Sequence, residues 1–221
     1  MGGIGPAATA HAFQRLIGIA QVEYGAEQDT DFPDVVTVSV PVKGTSEQGV
    51  HGDIGSQLGV RSLIAKHGVS VIYAPCNSLV RSSGHIEGSA VYEVGLISEA
   101  AKYVSELRVT DVTTLTSRTT RDQRSYERAY RDQGMTNEAA MLDEEQQARV
   151  DRMILAAMGG RDLDAAREEL SDMCQSFLLD SDYVVLGCTE LSLLAGQTDI
   201  MKDRVIDAQE IALRETLRKA T

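Results

Sequence analysis

VSVIYAPCNSL (residues 69–79) and DYVVLGCTEL (residues 182–191) are two versions of one pattern. Each begins as a short apolar run rich in β-branched residues, which reads as a buried strand. Each run is closed by a residue that punctuates the chain, Pro75 or Gly187, and then come a cysteine, a polar residue, one further residue and a leucine. In open α/β sheets ligands sit beyond the carboxyl ends of strands, and both cysteines fall there. Cys76 and Cys188 are 112 positions apart, about half of the 221-residue chain. The pattern is therefore a weak internal repeat. It predicts two half-chains of similar build, each with a thiol at a strand end, facing one another across a cleft.

The rest of the chain fits that layout. Residues 34–40 read as a strand, and 53–68 have helical periodicity ending at Gly68, a residue suited to a C-cap. Residues 89–107 read as a short strand running into a helix, and 109–116 as another strand. Helices are predicted over 122–132, 143–158 and 162–180, the last with acidic residues early, where they favour the helix dipole. A strand at 182–187 and a closing helix at 207–220 complete the order. Strands separated by helices of this length favour an α/β fold with a parallel sheet. The N-terminal GGIG turn enters a helix directly. Such turns normally follow a strand, so the sequence predicts either a fold lacking that strand, with low stability, or a start that lies upstream.

Bulk composition narrows the function. The formal net charge is −12, which argues against nucleic acid or an anionic membrane as partner, since both call for a basic surface. There are three cysteines, Cys76, Cys174 and Cys188. None has the short spacing of a zinc site or redox dithiol, and no secretory signal or membrane-spanning run is seen, so free thiols in a reducing, cytoplasmic compartment are expected.

A thiol titrates nearer neutrality than a carboxyl or an amine. A thiolate on one face of a tetrahedral carbon can remove a proton while a thiol on the opposite face supplies one, inverting that carbon without metal or cofactor. A single cysteine at a strand end is most often a small buried hydrophobe; two at matching positions set acid–base chemistry beside that reading. Cys174, inside the helix at 162–180, reads as structural.

Four stretches resemble the aspartate/glutamate racemase superfamily, the cofactor-independent amino-acid racemases. GGIGPAAT (2–9) is similar to the opening GGMGPxAT, PCNSL (75–79) to the first cysteine motif, GCTELSLL (187–194) to the second, and LTSRTTRDQRSY (115–126) to a GTRxT…Y stretch. The resemblance implies two pseudo-symmetric αβα half-domains with mostly parallel sheets and the active site in the cleft between them. The first would comprise 1–92 plus 200–221 and the second 93–199, with the final helix returning to the first. It implies Cys76 and Cys188 as the two acid–base thiols. Asn77, Ser78, Thr189 and Glu190 would hold the polar groups of the substrate, Thr120 would touch it, and Ile4 and Gly5 would line the pocket. No cofactor, a small amino-acid substrate and a homodimer are further implications.

Departures point to an altered side-chain pocket. The lysine that many aspartate-specific members carry in the stretch matching 153–162 has no counterpart here. Lys43, with Thr45 nearby, is a loose substitute for an Arg-Thr pair, and Ser78 replaces a threonine while keeping the hydroxyl. Same-fold enzymes acting on hydantoins, maleate or malonates, and a non-catalytic ligand-binding member, are the alternative readings.

The arginines at 118, 121, 124, 128 and 131 alternate with acids and read as a solvated helix face. Arg118 is the exception, because its stretch abuts the pocket and a guanidinium suits a carboxylate. His11, His51, His67 and His85 lack metal spacing, and His85 is the one sequence proximity places nearest the site. The GGIG turn lacks the full GxGxxG spacing for nucleotide phosphates.

Overall fold

A computed structural model of the chain describes residues 2–40, 45–46, 49–50, 66–77, 83–135, 142–196 and 203–220. Within them the order is α1 (Pro6–Tyr24), a 3-10 turn (Asp29–Asp31), β1 (Thr45–Ser46), β2 (Gly49–Val50), β3 (Val71–Tyr73), β4 (Gly84–His85), β5 (Tyr92–Val94) and α2 (Leu96–Glu106). Then follow β6 (Val112–Leu115), α3 (Arg118–Asp122), α4 (Ser125–Asp132), α5 (Glu144–Gly159), α6 (Leu163–Phe177), β7 (Tyr183–Leu186), α7 (Thr189–Ala195), β8 (Val205–Asp207) and α8 (Ala208–Ala220).

The predicted α/β architecture is present as two three-stranded sheets. In the first, of order β3-β5-β4, β3 and β5 run parallel and β4 antiparallel. In the second, of order β6-β7-β8, all strands are parallel, with Val112 opposite Tyr183 and Leu186 opposite Asp207. β1 and β2 form a small antiparallel hairpin.

The second sheet is covered on both faces, so β6, β7 and β8 are buried at every position except Tyr183 rather than at alternate ones. Leu115, Val184 and Leu186 pack on Val150, Met153, Leu170 and Leu191, contributed by α5, α6 and α7. Val112, Val185 and Ile206 pack on Ile97, Val104, Tyr126 and Tyr130 of α2 and α4. Buried hydroxyls must find partners: Thr113 Oγ1 lies 2.8 Å from Ser181 Oγ, and Thr114 Oγ1 2.9 Å from Tyr130 OH.

Helix ends follow their sequence signals. Pro6 opens α1, where its lack of an N–H is harmless, and Gly25 closes it in the left-handed conformation. Asp143 and Gln146 form a reciprocal capping box on α5. Residues 205–207 pair with β7 in the second sheet. α8 then crosses back: Leu213 and Leu217 pack with Ala12, Leu16 and Ile19 of α1. Segment 34–40 forms one parallel bridge, Ser39 to Gly2. Of the helix expected at 53–68, residues 53–65 lie outside the described residues. Among the described residues no helix is long and apolar enough to cross a membrane.

Candidate active site

Both cysteines stand at carboxyl ends of parallel strands, as the repeat predicts. After β3 the chain turns tightly at Ala74–Cys76, the Cys76 N–H donating to the Ala74 carbonyl at 2.7 Å. Cys76 is half-buried and Asn77 only 6% exposed. After β7, Gly187 N–H donates to the Leu115 carbonyl at 2.8 Å, and Cys188 then stands just before the first turn of α7. A Cβ on Gly187 would meet Thr116 Cγ2 at 2.7 Å and the Tyr126 ring at 2.8 Å. Glycine is needed there because two side chains occupy the space a methyl would fill.

Hydrogen bonds stitch the two cysteine turns together. Thr189 Oγ1 lies 3.3 Å from the Pro75 carbonyl and 3.2 Å from Glu190 Oε2, two acceptors for its one proton. Tyr126, on α4 beside the second sheet, donates its OH to Asn77 Oδ1 at 3.1 Å. The Cys188 thiol donates to Glu190 Oε2 at 3.2 Å. The N-terminal turn closes the group: a Cβ on Gly5 would stand 2.6 Å from Glu190 Oε1. Cys76, Asn77, Cys188, Thr189, Glu190 and Gly5 are thus brought into one place from three separate parts of the chain.

The electrostatics set the protonation of one thiol. Cys188, 8% exposed, is pushed well above the ordinary thiol range, first by burial, then by the Glu190 carboxylate and its hydrogen bond, and also by Cys76. It is a proton-bearing thiol at neutral pH. Burial also raises Glu190, opposed by the hydrogen bonds it accepts from Cys188 and Thr189. Tyr126 is raised by burial and stays a neutral donor. Behind α7, Asp207 accepts from Ser192 Oγ at 2.6 Å and from the Gln209 N–H at 2.8 Å. Burial pushes its carboxyl up to about 6. Ser192 Oγ is also 3.5 Å from the Cys188 carbonyl, which ties the Asp207 cap to the turn carrying the thiol.

The other expected residues fall as follows. Arg118 is engaged by Asp151 (Nε, 2.9 Å) and Glu144 (Nη1, 2.7 Å). Thr120 is buried, its Oγ1 accepting from Ser117 Oγ at 3.1 Å. Ile4 is half-buried in the turn before α1. His85 is exposed and packs edge-on to Tyr92. Lys43 and Ser78 lie outside the described residues. Cys174 is buried within α6, its thiol raised to about 12 by that burial. Tyr126, the Pro75 carbonyl and Asp207 were not singled out by sequence. Tyr126 does close the 115–126 stretch, and Asp207 begins the predicted last helix as its cap.

Comparison with known proteins bears on the family and the fold. The family model described as Asp/Glu/Hydantoin racemase matches residues 1–216. The aspartate racemase of Picrophilus torridus superposes with a TM-score of 0.77 at 19% identity, over 99% of this chain and 91% of that one. An aspartate racemase homologue from Pyrococcus horikoshii OT3 gives 0.71 at 20% identity, over 99% and 96%. The allantoin racemase of Pseudomonas fluorescens gives 0.58 at 15% identity, over 98% and 86%. At these identities the likeness to solved structures carries the fold, two αβα halves, and the family match carries the kinship. The chain belongs to the Asp/Glu/Hydantoin racemase family.

Proposed function

We propose that the protein is a cofactor-independent racemase of an acidic or related α-amino acid, exchanging the Cα proton between Cys76 and Cys188. The observation that carries this reading is the stitched pair of cysteine turns, with Cys188 held as a thiol by burial and by Glu190. In one direction the Cys76 thiolate takes the Cα proton and the Cys188 thiol delivers its own to the opposite face. The carbon is inverted, and the sulfurs exchange protonation states. In the reverse direction Cys188 must act as the thiolate. Glu190, itself raised by burial and bonded to that sulfur, is placed to hold the displaced proton.

Asn77 and Thr189, fixed by Tyr126 and by the Pro75 carbonyl, hold the substrate's polar groups. Arg118 is occupied by two carboxylates, so backbone N–H groups at the strand–helix turns are the nearer carboxylate ligands. Lys43 and Ser78 remain candidates for the side-chain end of the pocket.

A second reading has its own support: an allantoin racemase is among the structural neighbours, and the lysine expected of aspartate specialists has no counterpart at 153–162. Chiral chromatography of D- and L-aspartate, glutamate, their amides, allantoin and a 5-substituted hydantoin separates the two. Racemisation of an amino acid supports the proposal. Turnover of cyclic ureides alone moves the assignment to them, and inertness toward the whole panel contradicts both.

A further inference from the structure

The C-terminal end of α5 carries an exposed apolar side chain beside the candidate active site. This helix buries Val150, Met153, Ile154 and Ala157 against the second sheet and leaves Leu155 and Met158 45% and 40% exposed. Residues three apart are neighbours on a helix surface, so the two form one small apolar strip. A single exposed methionine is ordinary, but the surroundings of this one are not. A Cβ on Gly5 would stand 3.9 Å from Met158 Cγ and 2.6 Å from Glu190 Oε1. The other oxygen of Glu190, Oε2, accepts from the Cys188 thiol at 3.2 Å. The thiol and the thioether are thus reached from the two oxygens of one carboxyl group.

The charges around Met158 disfavour an anion. Glu190 brings a carboxyl group to this spot and no cation. Met158 stands in the last turn of α5, which ends at Gly160 and contains no basic residue. The carbonyls left unpaired at such an end make it the negative pole of the helix. The guanidinium of Arg118 is already held by Asp151 and Glu144. A side-chain carboxylate pressed against Met158 would exchange water for a thioether that donates no hydrogen bond. An amide, thioether or alkyl group has no charge to desolvate, and it gains contact with a flexible, polarisable surface.

We infer that Met158 is a specificity-determining residue, and that the site selects α-amino acids with an uncharged side chain over those with a side-chain carboxylate. This rests on the reading that an α-amino acid is racemised between Cys76 and Cys188, and it narrows the acidic-or-related class to its uncharged members.

Glutamine and glutamate share a shape and differ in charge, and methionine has a similar length. With the wild type, chiral chromatography is expected to give kcat/KM at least about tenfold higher for glutamine and methionine than for glutamate. Met158→Lys is expected to lower the glutamine-to-glutamate ratio at least about tenfold, while Met158→Leu, which keeps the apolar contact, leaves it within about twofold. The ratio cancels any effect on the thiols that is common to both substrates. A wild type that prefers glutamate overturns the inference, and loss of that preference in Lys43→Ala or Arg161→Ala then identifies the cation that selects instead. A ratio that Met158→Lys leaves unchanged, in a variant shown by circular dichroism to be folded, overturns it as well. Calorimetric binding of the same three amino acids reads the selectivity without turnover. Selective binding that Met158→Lys reverses, with no exchange at Cα, upholds the role of Met158 and rejects the racemase reading alone. Failure of all three to bind overturns the role of Met158.

Discussion

Replacing Tyr126 by phenylalanine removes one oxygen from a packed ring and isolates the bond between the two halves. The Tyr126 hydroxyl donates to Asn77 Oδ1 at 3.1 Å, with Tyr126 2% and Asn77 6% exposed. Water does not readily replace a donor in so enclosed a place, so the variant leaves a buried amide oxygen without it, at about 1–3 kcal/mol. For a chain of this length each kcal/mol lowers Tm by about 2–4 °C. In the proposed mechanism the same bond also orients Asn77 toward substrate. The part of that energy expressed only in the transition state appears as kcat/KM, at a factor of ten for each ~1.4 kcal/mol. Denaturant unfolding and racemisation kinetics of Tyr126→Phe, Asn77→Ala and the double variant give the coupling directly. The expected result is a loss of about 1–3 kcal/mol divided between stability and kcat/KM, with strong non-additivity in the cycle. Losses below about 0.5 kcal/mol in both, or additive effects of the two substitutions, refute the reasoning.

Three further substitutions probe the same geometry. Glu190→Gln removes the charge that raises Cys188, so the thiolate, followed by its absorbance near 240 nm or by alkylation, forms at lower pH than in the wild type; an unchanged or higher titration contradicts the role given to Glu190. Gly187→Ala places a methyl 2.7 Å from Thr116 and 2.8 Å from the Tyr126 ring, and such overpacking lowers stability by about 1–3 kcal/mol in denaturant unfolding; a neutral effect refutes the close approach. Burial raises the Asp207 carboxyl from the ordinary 3.8 to about 6 in the folded chain. Its contribution to stability is fully present below pH 3.8 and is lost as the pH rises through about 6, a change of about 3 kcal/mol. Asp207→Asn, which keeps the oxygen that Ser192 bonds, removes that part of the pH dependence; identical profiles for variant and wild type between pH 4 and 7.5 contradict it.

What could be read from sequence was what local patterning controls. The runs before Cys76 and Cys188 are β-branched and bounded by Pro75 and Gly187, so their strands and the placing of both thiols were legible. The caps at Pro6 and Asp143 and the burial of Cys174 depend on neighbours within a few residues or on one helix face. The partners of Arg118 do not. Glu144 and Asp151 are 26 and 33 residues farther along, and only the fold shows that they reach the guanidinium. The Tyr126–Asn77 bond spans 49 residues and two sheets, so no local pattern announces it. Strand pairing was hidden for the same reason. Residues 34–40 have the composition of a strand yet make one bridge among the described residues, whereas the three residues of β8 complete the second sheet because β7 lies beside them.

The central claim, that two opposed thiols exchange the Cα proton, is tested most directly by the appearance of deuterium at Cα when the amino-acid substrate is incubated in deuterated water. The account predicts wash-in accompanying racemisation with the wild type. It predicts loss of racemisation in Cys76→Ser and in Cys188→Ser, each shown by circular dichroism to be folded. Undiminished wash-in and racemisation in both folded variants would contradict it.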